Sequence, residues 1–213
     1  MTDCAVAFID LSGFTALTEA HGDLNAIEVL STFSTTAKNA LDQGDRLVKT
    51  IGDSLLVTSP TATSGVRLIR RMCQRFDAEP GFPLTSIGMH SGSIIERDGD
   101  IFGTVVNLAA RVTAYAAAGQ TLVTHNVIAQ LDGFEHSPVS IGNVRLKNVP
   151  YDVELFEIPQ CASIATAAID PVCHMRVEPR FAVSHLLFNG IEYHFCSVVC
   201  ANLFSNEPTT YAR

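Results

Sequence analysis

The stretch V48-K-T-I-G-D-S-L-L-V57 decides how this chain reads. Two short apolar runs, Leu47–Ile51 and Ser54–Thr58, flank Gly52-Asp53, and that is the chemistry of a hairpin turn between two strands. A hairpin meant only for burial would carry neither Lys49 nor Asp53, because each buried charge costs desolvation unless something pairs with it. What this ammonium and this carboxylate hold is the question the rest of the sequence answers.

Upstream, Cys4–Ile9 (CAVAFI) is a continuous apolar run, hence a strand buried on both faces, and Asp10 closes it. Where that strand neighbours the hairpin, Asp10 and Asp53 converge at one sheet edge. Paired carboxylates there are the hard oxygen ligands that Mg²⁺ or Mn²⁺ takes, with phosphate oxygens completing the shell. Each has a plainer reading, Asp10 as a helix cap and Gly-Asp as turn chemistry alone. Ser12-Gly13-Phe14-Thr15 then forms a glycine turn into a helix, whose first N–H groups can meet an anion.

Further along, Leu24–Leu41 places Ile27, Leu30, Phe33, Ala37 and Leu41 at helical spacing. Pro60 opens a second helix with a stripe of Val66, Ile69, Met72, Cys73 and Phe76. Leu84–Ser91 and Ile94–Glu96 read as a strand pair, with Asp98-Gly99 as a turn. A helix from Gly103 to about Ala117 puts Val105, Leu108, Ala109, Val112 and Ala116 on one side. Asn107 and Arg111, at i,i+4, fall on the other, either solvated or offering a fork of donors to a phosphate or developing oxyanion. This order predicts an α+β sandwich, one sheet with helices packed on one face.

With 213 residues, 47% hydrophobic and 17% charged, the chain can bury a sizeable core and is not disordered. A net charge of −8 excludes the clustered basic surface of a nucleic-acid binder. No apolar run is long enough for a membrane span, and the acidic start MTDCAVAFID is unlike a signal peptide, so a cytoplasmic protein is expected. Its six cysteines then call for something other than disulfides. Cys4 and Cys73 read as small core residues.

FIDLSGFTALTE (Phe8–Glu19), VKTIGD (Val48–Asp53) and DIFGTVVNLAARV (Asp100–Val112), in that order, resemble the catalytic domain of class III nucleotidyl cyclases. The resemblance covers residues 1–158 and implies a ferredoxin-like βαββαβ sandwich. It implies two Mg²⁺ or Mn²⁺ ions on Asp10, Asp53 and the Leu11 carbonyl, and phosphates held by N–H groups around Gly13, Phe14 and Thr15. Lys49 and Asp100 would read the base, the pair that in this family marks adenine and hence ATP; a Glu at the lysine position marks guanine. Asn107 would orient the ribose, Arg111 would stabilise the transition state, and Lys147 would meet the terminal phosphates, although Asn148 stands where glycine is common. It also implies a head-to-tail homodimer with two sites, each built from both subunits. The absence of a Gly-Gly-Asp/Glu-Glu-Phe signature speaks against a diguanylate cyclase.

Residues 159–169, small and low in charge, read as a linker. The remainder, 170–213, resembles a YHS domain through DPVC-x-M, G-x-x-Y-x-FCS and the following Cys, Phe and Pro-x-x-Y, with His174 where glycine is usual. Cys173, Cys196 and Cys200 suit Zn²⁺ or another soft metal. His194 is the expected fourth ligand, with His174 and His185 as alternatives. The bland alternative is three reduced core cysteines, and a redox pair of Cys196 and Cys200 is a further one. Two functions follow from the whole: an adenylate cyclase, or a catalytically silent cyclase-fold nucleotide sensor coupled to a metal- or redox-sensing tail.

Overall fold

The computed structural model describes residues 2–132, 137–159 and 167–212. Strand β1 (Thr2–Leu11) leads into α1 (Phe14–Asn39), the hairpin β2 (Arg46–Ile51) and β3 (Ser54–Ser59), α2 (Ala62–Ala78) and β4 (Thr85–Arg97). Then follow β5 (Asp100–Phe102), α3 (Thr104–Tyr115), β6 (Thr121–Thr124), the short α4 (His125–Ile128), β7 (Val139–Arg145) and β8 (Asp152–Glu157). These eight strands form one sheet in the order β2-β3-β1-β4-β6-β8-β7, with β5 on β4. Only β4 and β6 run parallel; β1 is flanked antiparallel by β3 and β4.

Alternation along β1 explains the layers. Ala5, Ala7, Ile9 and Leu11 join one core with Phe33 and Ala37 of α1 and the α2 stripe Val66, Ile69, Met72, Cys73 and Phe76. Phe33, Phe76 and Phe82 close that core, with ring centroids 5.2 Å apart for Phe33–Phe76 and for Phe76–Phe82. Val6 points the other way, into a second core with Leu56, Ile94, Ile101 and the Val105 and Ala109 of α3. Helices therefore cover both faces, not one as the element order suggested. Gly88 makes this close packing feasible: a Cβ there would lie 2.1 Å from the Thr113 backbone nitrogen of α3.

Two local expectations change. Leu84–Ser91 and Ile94–Glu96 are not a strand pair but parts of the single strand β4. The intervening Gly92 and Ser93 stand opposite Cys4 and Asp3 in the β1 ladder, so pairing carries the strand through them. The Asp98-Gly99 turn, both residues at positive φ (53° and 79°), joins β4 to β5 instead. Helix α1 begins at Phe14 and breaks at Gly22 (φ 79°, ψ 164°), and its buried side carries Ala26, Phe33 and Ala37. Leu24 and Ile27 lie off that side, 82% and 61% exposed.

Residues 167–212 form a second, smaller unit. Strands β9 (Ala168–Ile169) and β10 (Arg176–Val177) pair, β11 (Ser184–Phe188) and β12 (Ile191–Phe195) form a hairpin, and α5 (Val198–Asn206) and α6 (Pro208–Tyr211) follow. Of the expected linker, residues 160–166 lie outside the described residues. Ala168 and Ile169 belong to the β9–β10 ladder.

The second unit does not close its core by itself. Val172, Cys173, Phe195, Cys200, Ala201 and Phe204 pack around Leu17 and Ala26 of α1. Docking is also polar. Leu84 N–H donates to the His174 carbonyl at 2.9 Å. The Arg176 guanidinium donates to the Phe82 carbonyl at 3.0 Å and forms an ion pair with Asp77.

Candidate active site

The register of β1 against β3 sets Asp10 opposite Ser54, the residue after Asp53. Leu11 N–H donates to the Asp53 carbonyl at 3.1 Å, which ties the end of the first strand to the tip of the hairpin. Ser54, which the sequence reading passed over, donates its hydroxyl to the Asp10 carboxylate. Partial burial and the nearby Asp53 charge push the Asp10 carboxyl above its ordinary range, against the lowering effect of the Ser54 hydrogen bond. Such an edge has an excess of negative potential. A divalent cation would relieve it, so these residues fit the ions expected there.

Beside this edge the chain turns into α1. Gly13 adopts a left-handed conformation (φ 73°, ψ 19°), and no side chain caps the helix. The first-turn N–H groups near Phe14 and Thr15 thus have no capping side chain to satisfy them, the arrangement that binds phosphate. The side of Gly13 where a Cβ would sit is filled: that Cβ would be 2.9 Å from the Cys173 carbonyl oxygen.

Lys49 on β2 and Asp100 on β5 meet directly, Nζ to Oδ2 at 2.5 Å, on the exposed side of the sheet edge. The hydrogen bond from Lys49, followed by one from the Ile101 N–H, holds the Asp100 carboxyl below its usual range. These two residues, fifty-one apart in sequence, are brought together in one chain. Asn107 and Arg111 occupy the exposed side of α3, away from buried Val105, Leu108, Ala109 and Val112. Lys147 is exposed in the loop between β7 and β8. Among the described residues, none offers the Arg111 guanidinium or the Lys147 ammonium a hydrogen bond or ion pair.

In the second unit, Cys173, Cys196 and Cys200 do converge, with Sγ–Sγ separations of 3.3 Å (Cys173–Cys196) and 3.8 Å (Cys196–Cys200). His194 does not join them. Tyr193 and Phe195 of β12 face the core, so strand alternation turns His194 to the opposite side, across from His185. His174 and His185 do not enter the cluster either. The imidazole that does is His21, on α1. Sequence reasoning also missed Asp170. Its carboxylate is fully buried and accepts N–H bonds from Val172 (2.9 Å), Cys173 (3.4 Å) and Cys196 (2.9 Å), gathering two of the cysteine loops.

An eight-stranded α+β sheet with paired carboxylates at one edge and a donor-rich helix on its far face defines a cyclase-type domain. Residues 1–158 match the adenylate and guanylate cyclase catalytic domain, and the chain belongs to that family; residues 168–213 match the YHS domain. The chain is 33% identical over 137 residues to an adenylate cyclase of Streptomyces coelicolor, a match covering 64% of this chain and 36% of the relative. It is 32% identical over 164 residues to a pH-sensitive adenylate cyclase of Mycobacterium tuberculosis, covering 74% and 41%. The chain thus spans well under half of these curated relatives. An adenylate cyclase from Trypanosoma brucei, solved in its monomeric state, shares the fold at a TM-score of 0.70 and 20% identity, over 76% of this chain and 90% of that one. An adenylate/guanylate cyclase/hydrolase from Silicibacter pomeroyi superposes at a TM-score of 0.59 with 27% identity, over 75% and 98%. Among the described residues no helix is long and apolar enough to cross a membrane.

Proposed function

We propose that this chain is an adenylate cyclase, converting ATP to 3′,5′-cyclic AMP and pyrophosphate at sites shared between two copies of the chain, in the cytoplasm. One observation carries the reading: a backbone bond from Leu11 to Asp53 ties the end of the Asp10 strand to the Asp53 turn, close enough for the two charges to interact, while Lys49 and Asp100 pair in the same protomer. Two Mg²⁺ or Mn²⁺ ions held by Asp10, Asp53 and the Leu11 carbonyl would supply Lewis-acid activation of the 3′-hydroxyl and neutralise the triphosphate.

The remaining work falls to the chain's own groups. N–H groups around Gly13, Phe14 and Thr15 hold phosphate oxygens. Lys49 donates to the purine edge and Asp100 accepts from it, so the base's donor and acceptor replace the salt bridge that the two side chains make with each other. A base that fails to do so leaves a charge unpaired, which is a strong basis for rejection. Asn107 orients the ribose. Arg111 donates to the α-phosphate as charge gathers there, while the 3′-oxygen bonds to phosphorus, its proton passes to solvent water, and the bond from the α-phosphorus to the α,β-bridging oxygen breaks to release pyrophosphate. Lys147 meets the terminal phosphates. The exposure of Asn107 and Arg111 supports their delivery to a second protomer's metal edge, with two equivalent sites per head-to-tail dimer.

The test is to incubate the protein with ATP or GTP, each with Mg²⁺ or Mn²⁺, and quantify both cyclic nucleotides beside Asp53→Ala. Cyclic AMP from ATP, lost in the variant, is expected. Cyclic GMP from GTP would reassign the base, and no product with any pair would leave a silent nucleotide-binding scaffold.

A further inference from the structure

His21, Cys173, Cys196 and Cys200 come from both units of the chain, yet their four potential ligand atoms all lie within 4.8 Å of one another. His21 Nε2 is 3.2 Å from Cys196 Sγ. A tetrahedral Zn²⁺ site with Zn–S near 2.3 Å has S···S edges of about 3.8 Å. The Cys196–Cys200 separation of 3.8 Å matches that edge, the Cys173–Cys196 separation of 3.3 Å is about 0.5 Å shorter, and the His21–Cys196 contact of 3.2 Å is about 0.3 Å short of the N···S edge of about 3.5 Å.

The surroundings favour a bound cation. Cys200 lies in the first turn of α5, its backbone N–H donating to the Ser197 cap at 3.1 Å, and a helix N-terminus stabilises a thiolate. Three sulfurs this close to one another are the donor set that a soft cation shares. Asp170 fixes the backbone of two ligand loops, the supporting role that orients metal ligands. His21 is itself held: it ends the first segment of α1 at the Gly22 break, and its carbonyl accepts a 2.7 Å bond from the Asn25 amide.

We propose that His21, Cys173, Cys196 and Cys200 form a Cys₃His zinc centre that joins the cyclase domain to the YHS domain and holds the phosphate-facing turn in place. The connection to that turn is short. Ser12 N–H donates to the Leu84 carbonyl at 2.9 Å, and Leu84 N–H donates to the carbonyl of His174, the residue after ligand Cys173. The Cys173 carbonyl itself packs on Gly13. The zinc centre stands whether or not the chain cyclises ATP. Only the consequence for phosphate binding rests on the proposed function.

The experiment uses the full chain and no nucleotide. Zinc is quantified after purification without chelator, and Co²⁺ is substituted to read the ligand set by absorption. One equivalent of metal is expected, with a tetrahedral, thiolate-rich Co²⁺ spectrum. His21→Ala weakens metal affinity by at least tenfold, and His194→Ala leaves both affinity and spectrum unchanged. His21→Cys keeps one equivalent and shifts the spectrum toward four sulfurs, which reads the ligand even where the alanine variant folds poorly. Chelation raises amide exchange in residues 12–24 and leaves residues 55–57 of β3 unchanged. A spectrum altered by His194→Ala and not by His21→Ala or His21→Cys overturns the cross-domain ligand. A fully reduced chain that takes up no metal, or cysteines recovered as an oxidised pair, overturns the centre. Equal exchange in 12–24 with and without metal overturns the link to the turn.

Discussion

The sheet unit and the cysteine-bearing unit differ in where their cores come from. In the sheet unit, strands and helices of the same 158 residues bury Ile9, Leu55, Phe76 and Ile87 on one face and Val6, Leu56 and Ala109 on the other. In the smaller unit, Phe195 and Phe204 are equally buried, but only because Leu17 and Ala26 of α1 close the cluster from outside. Around forty-five residues cannot bury enough apolar surface to be secure alone. The tail therefore shares one helix with the sheet unit, and that helix starts at the Gly13 turn proposed to hold phosphate. Structural support for the tail and geometry at the active-site edge become a single problem.

The sharpest way to set the units apart is Arg111→Ala. Arg111 is exposed and, among the described residues, makes no hydrogen bond or ion pair, so thermal stability is expected to hold. Cyclase turnover is expected to fall on the order of 10²–10³-fold, the cost of removing one preorganised donor to developing charge. Mixing this variant with Asp53→Ala should restore part of the activity if each site draws on two protomers. No recovery in the mixture would mean that each protomer builds its site alone.

Arg176→Ala attacks the seam instead. The Arg176 and Asp77 side chains are 14% and 10% exposed, so their ion pair is poorly screened, and the Phe82 carbonyl shares the same guanidinium. A loss of about 3 kcal/mol is expected, the scale for breaking a buried pair by deleting one partner. The loss should show first as proteolysis within 168–212, with the sheet unit still folded. Simultaneous loss of both units in denaturant would mean that the tail is an integral part of the sheet unit's core.

A buried histidine of the sheet unit gives a further contrast, read by pH. His90 is buried in the sheet unit, its Nδ1 2.7 Å from Thr124 Oγ1, and burial lowers its pKa to about 4. The folded state therefore binds fewer protons than the unfolded state between the ordinary value of 6.5 and about 4. Stability contributed by neutral His90 is complete above 6.5 and is lost as pH falls through that window, on the order of 3 kcal/mol in all. His90→Gln should flatten this part of the stability–pH curve. An unchanged slope would assign it to another group.

How much of this was legible depended on distance along the chain. Asp10, Asp53 and the Asn107–Arg111 face could be read because strand ends, turns and i,i+4 spacing are local patterns. The α2 stripe was equally plain, since its five apolar residues all face one core. Leu24 and Ile27 misled because periodicity counts apolar residues without showing which side is covered, and Gly22 breaks the helix just before them. His21 was out of reach for a different reason: it lies 175 residues from Cys196, and nothing near either marks the other as its neighbour. The only local hint is a histidine placed directly before a helix-breaking glycine. His194 looked better placed because it is two residues from Cys196, but strand alternation turned it away.

The smallest expected effect on stability is also the most selective on function. Lys49→Ala removes a salt bridge whose partners are largely solvated, and exposed pairs contribute little, so the melting temperature should stay where it is. The same change takes away the cation hydrogen-bonded to Asp100, whose carboxylate then meets the incoming purine without that partner. Discrimination between ATP and GTP should collapse while the metal edge at Asp10 and Asp53 is untouched, so KM for ATP should rise more than turnover falls. If turnover fell instead with KM unchanged, Lys49 would act on the reacting phosphates, and the contrast between a base-reading edge and a metal edge would dissolve.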